Sequence, residues 1–80
     1  MENQNGMSEL YQEWIKEDYK YIDFIKLENK VFQEIREKYQ DDLELVELCR
    51  EQLFDNFKLI KSLSERIIYG KDEIEKLSRI

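Results

Sequence analysis

The chain contains no proline, and its two glycines stand near the ends, at Gly6 and Gly70. Proline removes a backbone donor and clashes with the preceding helical turn, while glycine costs a helix interior about 1 kcal/mol. Neither residue interrupts positions 7 to 69, so only local turn chemistry can end a helix there. The absence of breakers confines the chain to long helices wherever the apolar pattern has a helical period.

The pattern has that period in two stripes. In the first, Tyr11, Ile25, Phe32 and Tyr39 share one heptad position, with Asp18 as its exception. Trp14, Tyr21 and Ile35 share the position three residues on, with Glu28 as its exception. Ile15 and Ile22 widen the stripe on one side, and Leu10, Phe24 and Val31 on the other, so this helix expects neighbours on more than one side. In the second stripe Val46, Leu53, Ile60 and Ile67 share one position, and Cys49, Asn56 and Leu63 the other, flanked by Phe57 and Leu59. Between the stripes, "YQDDL" supplies a turn in which Asp41 or Asp42 caps the second helix and Glu44 favours its dipole. So short a connection makes the two helices antiparallel.

The polar segment 1–7, "MENQNGM", is expected to be a disordered N-terminus, with Ser8 capping the first helix. Toward the other end "YGKDEIEKL" reads as a stop, with Gly70 past the last turn and Asp72 and Glu75 opening a new one. Ile74 and Leu77 keep the phase of Ile67, which leaves an uninterrupted helix as the alternative. The predicted fold is all-α: an antiparallel hairpin of two long amphipathic helices, 8–39 and 42–69, with a C-terminal helical extension over 72–79. Residues 8–80 form one helical domain. A single core of this size supplies roughly 3–5 kcal/mol at most, so pairing into a dimeric helical bundle is expected. The seam of core or oligomer is assigned to Tyr11, Trp14, Tyr21, Ile25, Phe32 and Ile35 on the first helix, and to Val46, Cys49, Leu53, Ile60, Leu63 and Ile67 on the second.

Composition narrows the function classes. Hydrophobic residues make up 41% and charged residues 40%, a balance that suits a narrow apolar stripe under a wide charged surface. The absence of Ala, Thr and Pro beside abundant Lys, Ile, Glu, Tyr and Phe suggests an A/T-rich bacterial or phage genome. The net charge of −6 provides no basic patch for a phosphate backbone, so direct nucleic-acid and anionic-membrane binding are disfavoured. No apolar run approaches ~20 residues and the start lacks a signal-peptide pattern, which together predict a cytoplasmic protein.

Catalysis finds little material. Without histidine there is no imidazole acid–base group, triad or imidazole metal ligand. Cys49 occupies a seam position among leucines, where a thiol behaves as a small buried hydrophobe and not as a nucleophile. Glu34 and Glu37, and Glu44 and Glu47, form E-x-x-E pairs that on inward faces could hold Mg²⁺, but both fall outside the apolar stripe. No enzyme, cofactor or metal is expected.

Two interaction features remain. Tyr19 lies off the stripe, an exposed aromatic of the kind enriched at interface hot spots. Glu44, Glu47, Glu51 and Asp55 line one outer side of the second helix; they could imitate a row of phosphates, or simply favour the helix dipole at its N-terminal end. Asp18, Glu28 and Asn56 interrupt the stripes, either as rim positions or as a polar layer that selects pairing. The stretch "REKYQDDLELVELCREQLFD" resembles, in hairpin style, the small two-helix aspartyl-phosphate phosphatases of sporulation control. Where that family carries S-Q-E-L-D, this chain reads Cys49-Arg50-Glu51-Gln52-Leu53, so the functional aspartate is unmatched and no residue carries over. The expected function is a non-enzymatic protein–protein interaction module, a small regulator or inhibitor of one protein target that works as a homodimer. The alternatives are a phage-type nucleic-acid mimic or counter-defence protein using the acidic ridge, and a structural coiled-coil or assembly protein.

Overall fold

The computed structural model describes residues 2–79, with side chains from Gly6 onward. Two helices form an antiparallel hairpin: α1, Glu2–Lys38, and α2, Leu43–Ser78. The result is a rod of 61 × 14 × 12 Å. Helix α1 starts at Glu2, ahead of Ser8, so the segment expected to be disordered is helical over its described part. Met1 and Ile80, the outer ends of the expected tail and domain, lie outside the described residues.

The turn is built from its own polar groups. Tyr39 N–H donates to the Ile35 carbonyl at 2.9 Å, and Asp42 N–H donates to the Tyr39 carbonyl at 3.1 Å, closing α1. Asp42 has an extended backbone and its carboxylate accepts from Leu45 N–H at 3.1 Å, satisfying one of the donors that a helix start leaves free. Arg36 and Lys38 lie in the last turn of α1 and Glu44 in the first turn of α2, each complementing the local end of the helix dipole.

The two helices meet along one seam. Ile22, Ile25, Leu63 and Ile67 form its buried centre, with Ile15 and Ile60 packed against them. Cys49 and Leu53 continue it toward the turn. Removing each such aliphatic side chain from water contributes about 1.5–3 kcal/mol. The alignment of the helices is pinned twice: Ile15 meets Gly70, and Asn29 meets Asn56. Both pairs lie fourteen residues apart along each helix, so the hairpin keeps its heptad phase without a slip over that span.

Gly70 does not end the helix. Helix α2 runs through it, absorbing the segment expected as a separate extension, and Gly70 is buried. A Cβ added there would stand 3.1 Å from both Cγ1 and Cδ1 of Ile15. The glycine thus serves close approach of the helices, and packing offsets its low helix propensity.

The seam of α1 also differs from the expected one by a residue. Tyr21 is 51% exposed, whereas its neighbour Ile22 is 6% exposed and occupies the core. Asn29, and not Glu28, is the polar residue at the centre of the contact. An apolar band three positions wide leaves the choice to packing. Isoleucine fills a close helix–helix contact with no polar atom, while a tyrosine hydroxyl needs a partner or water. Tyr39 is exposed, while Tyr11, Trp14, Phe32, Ile35, Val46 and Ile60 are half-buried.

Replacing Gly70 with valine is expected to destabilise the hairpin by about 1–3 kcal/mol through overpacking against Ile15. The second change Ile15→Ala, made in the same chain, should recover part of that loss. Urea unfolding of the two single variants and the double variant checks the coupling; additive losses would mean that the two side chains do not meet.

Candidate interaction surface

The polar interruptions come together across the seam. Asn56 Nδ2 donates to Asn29 Oδ1 at 2.8 Å and to Glu28 Oε1 at 3.1 Å, while Gln52 Nε2 approaches Asn56 Oδ1 at 3.5 Å. Asn29 and Asn56 are both buried, and Glu28 turns in from the edge to join them. A buried asparagine that finds its mate in only one alignment selects that alignment, because a slipped register strands amide groups without partners.

Asp18, which the heptad pattern leaves either at the rim or in a polar layer, is 7% exposed within the seam. Arg66 Nε lies 3.3 Å from Asp18 Oδ2, close enough for an ion pair but away from hydrogen-bond alignment. The same guanidinium lies over the Trp14 ring, 4.7 Å from its centroid. Trp14 in turn stacks on Tyr11 with centroids 5.9 Å apart and meets the edge of Tyr69 at 6.5 Å. One arginine therefore ties a buried carboxylate to an aromatic cluster that spans both helices. Partial burial pushes the Tyr11 phenol above its ordinary value, and Tyr69 and Glu73 push in the same direction. Asp72 and Glu73, at 3.3 and 3.4 Å, hold the Lys76 ammonium above the usual lysine range. Both shifts move ionisation further above neutrality, which does not suit either group to act as a base at neutral pH.

The contacts define two sides of the hairpin. Trp14, Arg66 and Tyr69 lie together on one side. On the other, Lys71 Nζ donates to the Tyr19 hydroxyl at 2.9 Å and approaches its ring, so Tyr19 is a strap between the helices. Helical phase carries Leu10, Tyr21, Phe24 and Val31 to the Trp14 side, joined by Leu59 and Tyr69 from α2. Phe24 is 61% exposed and Leu10 67%, with Leu27 and Val31 exposed beside them. Phe54 and Phe57 are exposed toward the Tyr19 side.

Glu44, Glu47, Glu51 and Asp55 are all exposed along the outer back of α2. Glu47 lies 3.8 Å from Arg50; a pair so exposed is worth little. Among these acids stand Leu43, Leu48 and Phe54, also exposed, so the ridge is a mixed surface of carboxylates and apolar points. Glu44, Glu47 and Leu48 line one shallow depression. Glu34 and Glu37 are exposed on α1, and Cys49 is 3% exposed in the seam. Among the described residues no three ligating side chains converge on a cation-sized site. No helix of the described residues is long and apolar enough to cross a membrane.

Comparison with protein-family models, curated proteins and solved structures finds no match to the chain.

The uncovered face of α1 is legible in the sequence only in part: Leu10, Phe24 and Val31 stand out as excess width of the stripe, but Tyr21 and Ile22 exchange places. Replacing Arg66 with alanine leaves the Asp18 carboxylate buried without its cation and is expected to cost about 1–3 kcal/mol. Asp18→Leu in the Arg66→Ala chain should restore that stability, since an apolar residue there needs no partner. Chemical denaturation of both chains measures the pair, and an unaffected Arg66→Ala single variant would show that Asp18 is solvated.

Proposed function

We propose that the chain is a non-enzymatic interaction module, a small cytoplasmic regulator or inhibitor that engages one protein target and works as a homodimer. The observation that carries this reading is the amount of large apolar side chain left uncovered on two different sides of a two-helix rod. Scattered apolar residues are normal on a surface, whereas stripes of them along a helix fit contact with another macromolecule.

Target engagement is assigned to the back of α2. Leu43, Leu48 and Phe54 offer anchors, and Glu44, Glu47, Glu51 and Asp55 surround them with negative charge. That combination fits a basic protein face with apolar recesses, where the anchors supply affinity and the charges steer encounter. The same ridge supports the second reading, a phage-type nucleic-acid mimic in which the carboxylates take the place of a phosphate row. Tyr19 serves the hairpin through Lys71 and is left with a smaller part in recognition.

Reversing the charges of Glu44, Glu47 and Glu51 to lysine tests both readings. With the immobilised chain and extract of its source cells, a partner held in stoichiometric amount should be retained at least about tenfold less by the variant, the scale of steering by a local charge cluster. Helicity by circular dichroism should stay unchanged, because all three side chains point to solvent. Equal retention by the variant contradicts this placement. Release of the partner from the unchanged protein by duplex DNA would favour the mimic.

A further inference from the structure

We propose that the uncovered face of α1, from Leu10 through Tyr21 and Phe24 to Val31, is seated against the same face of a second copy of the chain. This rests on the reading of the protein as an interaction module and names the surface that makes it a dimer.

Area supports a second copy. A folded monomer of 9.9 kDa is expected to expose about 5,200 Å². The hairpin exposes 6602 Å², an excess of about 1,400 Å² per chain over that scaling. A standard interface takes about 800 Å² from each partner, which lies within that excess. The excess follows from the shape: a 61 × 14 × 12 Å rod has no interior beyond a single seam.

The pattern on the face matches a helix of similar length. Leu10, Trp14, Tyr21, Phe24, Val31 and Ile35 recur at helical spacing along most of α1, interrupted at Glu17 and Glu28, forming a second stripe beside the one that meets α2. A stripe of that length is covered end to end by another long helix, and the chain itself supplies one. Its two-fold pairing is self-complementary, so one patch serves both partners.

Charge permits the pairing despite the net −6 on each chain. Glu17 stands in phase with Leu10 and Phe24 and lies 3.6 Å from Lys20. Asp55 of α2 shares the phase of Tyr69 at the border of the face. Between Tyr21 and Val31, Glu28 is the acid nearest the centre, and it turns inward to Asn56. Glu44, Glu47 and Glu51 lie on the back of α2, away from α1. A centre poor in charge and rich in aromatic side chains is the usual composition of an interface core.

Sedimentation equilibrium of the intact chain should give twice the 9.9 kDa chain mass. The double variant F24E/V31E should sediment as a single chain, whereas F54E, altered on the other side of the hairpin, should remain dimeric. A second measurement covers the case in which F24E/V31E fails to fold. In native buffer a short bis-maleimide should join two F24C chains and leave F54C chains single; the unaltered chain, with its thiol buried at Cys49, is the control. A 9.9 kDa particle at about 100 µM, well above the dissociation constant of a stable homodimer, would overturn the proposal. So would assemblies larger than two, cross-linking at Phe54 in place of Phe24, or coverage of this face solely by a different protein. Loss of target capture in the α2 charge variants leaves these masses unchanged, so the two proposals fail separately.

Discussion

A helix in a two-helix hairpin has one neighbour, and that constraint governs the rest of this structure. Each helix can bury a single stripe, so Ile22, Ile25, Leu53, Leu63 and Ile67 are covered while Phe24, Leu27, Val31 and Phe54 are not. None of the described side chains reaches full burial. With so thin a core, alignment depends on features that tolerate one arrangement only. Gly70 admits Ile15 because it has no Cβ, and Asn56 satisfies Asn29 when the helices stand in one register. Asp18 adds a third point through Arg66. Polar groups in a thin seam contribute less to stability than to the choice of alignment, since their cost is highest when they are misplaced.

The helices, their antiparallel order and the seam of α2 were legible in the sequence. In α2 Val46, Cys49, Leu53, Ile60, Leu63 and Ile67 fill two heptad positions with Asn56 as the one polar break, and the turn declares itself through Asp42. Helix α1 was harder because its apolar band is too wide to specify one seam. Tyr21 and Ile22 are equally apolar in pattern, and only contact with α2 separates them. Gly70 misled for a related reason. A glycine beside a capping pattern resembles a helix end, and its packing role becomes visible only when Ile15 is opposite. The polar layer was half visible: Asn56 and Glu28 stood out as interruptions, but Asn29 did not, since it falls outside the expected phase.

The interaction surfaces are what the seam leaves over. Side chains that α2 cannot cover gather on the Trp14 side of α1, and the back of α2 mixes acids with Leu48 and Phe54. In the proposed reading one of these surfaces meets a second copy and the other a target, with Leu48 and Asp55, in phase with Tyr69, at the border between them. The proposed division suits a small chain, because contact with a second copy would supply stability that a thin core lacks.

Completion of the fold by a second copy, as proposed, makes thermal unfolding depend on protein concentration. For a dimer that unfolds to separate chains, raising the protein concentration about a hundredfold adds about 2.8 kcal/mol to the stability of the assembly. The melting temperature should then rise steadily with concentration. A melting temperature independent of concentration across that range would show that the hairpin stands alone, without a second copy.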